Sequence, residues 1–161
     1  MLDLIPSEAS IIACLADVAT LDGWTGGRDP APARVAPDEL WLIGPRSERQ
    51  AIVAKARDWL GGRGLVVDQT DGWVVWTVEG DARLDVVRRL MFAAVPDHRP
   101  AFVQGAITGV PGKVLYESNR VHLFVPAPVG HHLIDRLMAV GSDLLPHVAA
   151  PAPLVPAGPG R

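Results

Sequence analysis

Between Glu39 and Thr108, short apolar runs alternate with amphipathic stripes, and glycine or proline separates each from the next. Glu39 to Ile43 (ELWLI) predicts a short strand. Pro45 and Ser47 open a helix over 47–60, with Ser47 as N-cap, because its hydroxyl can accept from an unpaired N–H of the first turn. Ile52, Ala56, Trp59 and Leu60 share one face of that helix. Gly61-Gly62-Arg63-Gly64 stops it, since glycine takes the left-handed cap conformation without steric cost. Leu65 to Gln69 predicts a strand and Asp71-Gly72 a hairpin turn. Trp73 to Val78 is the returning strand, rich in aromatic and β-branched side chains. Gly80-Asp81 leads into a helix over 82–92, with Leu84, Val87, Leu90 and Met91 as its stripe. Pro96 to Pro100 is a break, and Phe102 to Thr108 predicts another strand. The order strand, helix, strand, strand, helix, strand is that of the split βαβ unit, so the predicted fold class is α+β with a ferredoxin-like βαββαβ core.

The segment Gly105 to Leu137 extends that core. Strands over 112–116 and 121–125 flank the polar turn Glu117-Ser118-Asn119-Arg120, and form a β-hairpin. A last helix over 129–140 carries Leu133, Ile134, Leu137 and Met138 and ends at Gly141. The ends of the chain read differently. Ile11, Ile12, Leu15 and Val18 suit a short amphipathic helix that covers the chain's own core or docks on a partner. Gly23 to Pro37 is punctuated by glycine and proline and predicts irregular structure. The proline-rich run from Ala149 has little to pack and predicts an extended or disordered tail. The expected organisation is an N-terminal extension and linker over 1–34, an α+β domain over 35–148 and a tail over 149–161.

A chain of 161 residues, nearly half of them apolar, suffices for one domain with a real core. A formal charge of −3 gives no global positive field for nucleic acid or an anionic membrane. Arg88-Arg89 reads as a solvated helix face. The single cysteine, Cys14, excludes a disulfide within the chain and argues against a thiolate metal cluster. No apolar run approaches the ~20 residues of a bilayer span, and the N-terminus lacks the basic stretch of a secretory signal. Together these predict a cytoplasmic location.

Few residues carry a chemical signature. His131 and Asp135 lie four apart on one helix face and, with His132 and either His98 or His122, offer metal-ligand chemistry. Adjacent histidines in a surface turn point apart, so no metal site is assigned. Asp97-His98 has no accompanying nucleophile pattern, no G-x-S-x-G occurs, and Cys14 sits in an apolar stripe as a small hydrophobe. The glycines at 61–64 follow a helix rather than a strand, which is the wrong context for a dinucleotide turn. No catalytic residue is assigned. Trp73 and Trp76, three apart on a strand, face opposite sides. Tryptophan is enriched at interface hot spots, so Trp41, Trp73, Trp76, Ile11 and Leu15 are the interface candidates, with an obligate partner chain to cover them.

A series of phrases from Val35 onward resembles a known family. Arg34, Pro37, Asp38, Glu39, Leu42 and Gly44 form a strand-entry phrase with Trp41 between. Val66, Val67, Asp68 and Thr70 follow, then Glu79-Gly80 before a helix. In this order they resemble the gamma subunit of heterotetrameric sarcosine oxidase, which is similar to the folate-binding domain of glycine-cleavage aminomethyltransferases. Those transferases keep two aspartates in a turn after a strand. The matching turn here is Gly109, Val110, Pro111, Gly112, Lys113, Val114, with Gly112 and Lys113 at the acidic positions. An ammonium cannot accept a proton or stabilise a developing cation as a carboxylate does.

The resemblance implies a non-catalytic structural subunit of a complex that oxidatively demethylates N-methyl amines such as sarcosine. It implies no cofactor in this chain, with flavin and tetrahydrofolate in larger partner subunits. Two alternatives stay open. One is a small folate-binding aminomethyltransferase-like protein using Asp68, Asp71 or Glu117 as its carboxylate. The other is a subunit of an amine monooxygenase complex that helps close a metal or haem site.

Overall fold

The computed structural model describes residues 1–155 of the chain. The fold is mixed, with a mostly antiparallel sheet and few helices, and it divides into two compact units. One unit comprises Met1–Ser7 with Asp71–Ala152, and the other comprises Glu8–Thr70 with residues 153–155.

The first strand, β1 (Leu2–Ala16), contributes to both units. This replaces the amphipathic helix predicted around Ile11 to Val18. Ile11 and Ala13 are buried on one face of β1, and Ile12 and Cys14 on the other. Burial on both faces is the signature of an interior strand, and over a short apolar run it imitates a helical stripe. A single short helix, α1 (Val18–Asp22), follows, capped by Asp17, whose carboxylate accepts from Thr20 N.

The second unit continues with β2 (Ala31–Ala36), β3 (Glu39–Pro45), α2 (Arg49–Leu60) and β4 (Gly64–Asp68). Its lateral order is β2-β3-β1-β4, with all neighbours antiparallel. β2 lies within the stretch predicted to be irregular. It tolerates Pro32 as a sheet-edge strand, where a missing N–H costs nothing. A 3-10 turn over Arg46–Glu48 precedes α2, so the N-cap is Glu48 rather than Ser47 and makes no side-chain cap bond. The C-cap is Gly61 at φ 54°, the left-handed stop anticipated from the glycine run. α2 buries Ile52, Val53, Ala56 and Leu60 against Ile12, Cys14, Leu40 and Leu42.

The first unit holds β5 (Trp73–Glu79), α3 (Arg83–Leu90), β6 (Ala101–Ile107), β7 (Val110–Tyr116), β8 (Arg120–Pro126), α4 (Gly130–Val140) and β9 (Pro146–Val148). Leu2 to Pro6 of β1 run between parallel β9 and antiparallel β5, and β8, β7 and β6 follow in order. α3 and α4 cover one face, packing Val86, Val87, Leu90, Leu133 and Leu137 on Leu2, Leu4, Val78, Val121 and Leu123.

Two expectations change as a result. Asp71-Gly72 closes no hairpin: Thr70–Gly72 is a 3-10 turn, β4 pairs with Ile12 to Ala16, and β5 pairs with Asp3 to Pro6 and with β8. The strands on either side of that turn therefore belong to different units, and residues 39–108 do not form one βαββαβ core. The first 34 residues are no extension either, because β1 and β2 are integral to the sheets. Of the predicted tail, Ala152–Pro153 is a short strand, β10, beside β1, and Leu154 is buried. Residues 156–161 lie outside the described residues. Among the described residues no helix is long and apolar enough to cross a membrane.

Candidate functional site

The β6–β7 hairpin turns through Thr108 (φ 53°) and Gly109 (φ 87°), a left-handed pair that matches the twist of the flanking strands. A β-branched residue rarely adopts this conformation, and the Thr108 hydroxyl is also buried without a hydrogen bond. Register pairs Gln104 with Lys113, Gly105 with Gly112 and Ala106 with Pro111.

The glycines decide what the two faces of the hairpin look like. A Cβ on Gly112 would lie 2.5 Å from Ile107 Cδ1, and one on Gly105 would lie 3.5 Å from Met91 Cε, both in the helix-covered core. Gln104, Ala106, Pro111 and Lys113 therefore point to the opposite face. There, with Trp73 of β5 as a wall, they line an open concavity of about 330 Å³. Lys113 Nζ donates to Gln104 Oε1 at 2.8 Å and stands 5.2 Å from the centre of the Trp73 ring. Among the described residues, Lys113 is the only charged side chain in the lining. The β6–β7 hairpin thus presents a cation to a partly apolar hollow.

A second polar cluster lies in the same unit. Ser7 Oγ donates to Ile5 O at 3.1 Å and is 2.5 Å from Thr77 Oγ1. Because the Ser7 hydrogen is committed to a carbonyl, Thr77 donates to Ser7. Thr77 then accepts from His122 Nδ1 at 2.7 Å, so that nitrogen carries a hydrogen. On the other side of the ring, His122 Nε2 lies 3.3 Å from Glu117 Oε2, within ion-pair distance but not aligned as a hydrogen bond. Arg120 Nε approaches the same oxygen at 3.2 Å. Glu117, Thr77 and His122 are all buried. Residue spacing gave no signal for this chain of contacts, since it needs β1, β5 and β8 side by side.

The remaining candidates are dispersed. Trp41 and Ile11 are each 1% exposed, so both are core residues rather than surface available to a partner. The Trp41 indole donates to Glu39 Oε1 at 2.7 Å. Trp73, Trp76 and Leu15 are half-buried. Exposed apolar positions that the sequence did not single out include Phe92, after α3, and Leu65, on β4.

Asp68 accepts from Arg49 and from Thr70 N and does not line the concavity, and neither do Asp71 and Glu117. His131 and Asp135 are exposed on α4. Among the described residues no three histidine, cysteine or acidic side chains converge as a metal site. Cys14 is buried, and desolvation pushes its thiol up to about 11.

No protein-family model matches the chain, and no curated protein matches it by sequence. Solved structures do. The fold is similar to that of a chain in the heterotetrameric sarcosine oxidase from Corynebacterium sp. U-96, solved in complex with pyrrole 2-carboxylate. The TM-score is 0.76 at 18% identity, over 88% of this chain and 84% of that one. It is also similar to the glycine cleavage system aminomethyltransferase T from Bartonella henselae, with TM-score 0.64 at 15% identity over 92% of this chain. The chain spans about half of that transferase, 47% of its length. The ligand-free regulatory subunit of aspartate kinase from Thermus thermophilus follows at TM-score 0.54 and 13% identity, over 87% of this chain and 97% of that one. The fold is therefore aminomethyltransferase-like.

Proposed function

We propose that this chain is a non-catalytic structural subunit of a cytoplasmic, multi-subunit oxidoreductase that demethylates N-methyl amines, as in the sarcosine oxidase gamma subunit. Larger partner chains would carry the flavin and the tetrahydrofolate that captures the one-carbon unit. The observation that carries this reading is the occupant of the β6–β7 hairpin. Lys113 stands where related transferases keep a carboxylate, held by Gln104 and the Trp73 ring. An ammonium there opposes a developing cation, and at an effective dielectric of about 20 two like charges 4 Å apart repel by about 4 kcal/mol. The fold likeness to a chain of a heterotetrameric enzyme supports the same reading.

The folate-binding alternative needs an acid in the hollow, and none of the described residues lining it is one. Purification of the tagged chain from its own cells tests the proposal. The expected result is a complex with larger chains that shows flavin absorbance. A chain that elutes alone as a stable monomer, with no flavin and with measurable affinity for tetrahydrofolate, overturns it in favour of the folate-binding protein.

A further inference from the structure

We propose that the outer edge of β4 is a self-association surface, on which a second copy of this chain adds its own β4, antiparallel, about a two-fold axis through Val66. The pairing does not rest on the subunit role, because it joins two copies whether or not larger chains are bound.

The two edges of the second unit's sheet, ordered β2-β3-β1-β4, are built differently. An edge strand exposes a row of backbone N–H and C=O groups, and chains protect such edges with proline, bulges or outward charges. β2 has two of these devices, Pro32 and a register shift between Arg34 and Ala36. β4 (Gly64–Asp68) contains no proline and pairs with β1 without a shift. Among the described residues no strand pairs with its other edge. Leu65 and Val67 share one face of β4, and both are exposed. An unprotected edge beside exposed branched side chains has the chemistry of a pairing strand.

Hydrogen-bond parity identifies the available groups. Gln69 N donates to Ile11 O at 2.9 Å, and the register of β4 on β1 sets Val67 opposite Ala13 and Leu65 opposite Leu15. Bonded residues alternate along an antiparallel ladder. Val67 and Leu65 therefore turn their backbone groups toward β1, and Gly64, Val66 and Asp68 turn theirs outward. A second, antiparallel β4 with Val66 opposite Val66 meets these residues with the same set. Val66 donates to and accepts from Val66 of the second copy, and Gly64 does the same with Asp68 of the second copy. Leu65 then falls opposite Val67 of the other copy, at the non-bonded positions where cross-strand side chains approach most closely. The exposed side chains of both copies thus meet on one face. Charge sets the direction: exposed Arg63 precedes β4 and exposed Asp68 ends it, so antiparallel strands bring opposite charges together and parallel strands like ones. Asp68 is already held by Arg49, so this contributes orientation more than strength. The match is one of this strand with itself, which makes the occupant a second copy. With five residues from each copy, the contact lies below the ~1,200 Å² of stable interfaces, and the dimer is a transient one.

Oxidative crosslinking of the full chain, purified with whatever chains accompany it, tests the register. Leu65→Cys and Val67→Cys are made separately; both sites are exposed, and the native Cys14 is buried. In the dimer, position 65 of one copy lies about 4.5 Å in Cα separation from position 67 of the other, within reach of a disulfide. Like positions are about 7–8 Å apart, at or beyond its limit of about 7 Å. A one-to-one mixture of the two variants is therefore expected to form disulfide-linked dimer about tenfold faster than either variant alone. Val148→Cys, exposed on β9, gives the rate of random collision. A mixture that crosslinks no faster than Val148→Cys overturns the proposal. Equal rates for the mixture and the single variants place any dimer contact in another register or on another surface, and overturn it as well.

Discussion

Asp68, at the end of β4, shows how two opposing effects on one group set its titration. Burial alone would raise its carboxyl, but the Arg49 side chain and both the hydroxyl and the N–H of Thr70 outweigh that and hold it below the usual carboxylate range. A depressed folded-state value means that the stabilisation is complete above the unfolded value of about 4 and fades as pH falls through the folded one. Asp68→Asn is therefore expected to be less stable than the parent at pH 7, with the difference shrinking below about pH 4. Urea titrations at a series of pH values measure this, and a constant difference down to low pH would contradict it. Cys14 behaves oppositely, since desolvation pushes its thiol up to about 11. A disulfide reagent near neutral pH should leave it unmodified in the native chain and react fully in denaturant, because the thiolate is the nucleophile. Equal rates in the two states would mean that β1 opens freely.

At the level of elements, β1 organises the chain, and it does so through close backbone approaches that only glycine permits. Gly80 ends β5 at φ 103°, and a Cβ there would lie 2.2 Å from Met1 O. Gly62 also has a positive φ, 82°, but faces open space. Gly80→Ala should cost about 1–3 kcal/mol and raise amide exchange at Leu2 to Leu4, whereas Gly62→Ala should cost about 1 kcal/mol and leave that strand protected. Equal effects at the two sites would remove the steric argument. The same strand explains why parts of the fold were illegible in the sequence. α2, α4, β3 and β5 to β8 announce themselves by local periodicity and breakers. β1 does not, because an apolar run buried on both faces has no strand alternation and resembles a helical stripe. Asp71-Gly72 has the residues of a hairpin turn, yet the strands beside it are claimed by opposite halves of β1. Long-range pairing overrode local turn chemistry there.

For the molecule as a whole, legibility follows the same division between local and distant. Lys113 is visible in the hairpin's own residues, and the hairpin register fixes its neighbour Gln104. Trp73 joins them only through the order β5-β8-β7, which no short window of sequence encodes. Burial reassigns the interface candidates: Trp41 and Ile11 are core, and the large apolar side chains left in water include Leu65, 68% exposed, and Phe92, fully exposed. Leu65 is followed two residues later on β4 by Val67, itself 42% exposed. Apolar side chains of this size gain about 1.5–3 kcal/mol each when a partner buries them fully. In the proposed structural subunit these positions should act on assembly and not on folding. Leu65→Lys and Phe92→Lys, singly, are expected to shift stability by no more than about 0.5 kcal/mol, as exposed substitutions do. Each is expected to weaken partner binding about tenfold or more if it marks a contact hot spot. Thermal melts of the chain and quantitative co-purification with the partner chains separate the two effects. Parental yield of the complex from both variants would place the interface elsewhere, while a large drop in melting temperature would show that these side chains support the fold itself.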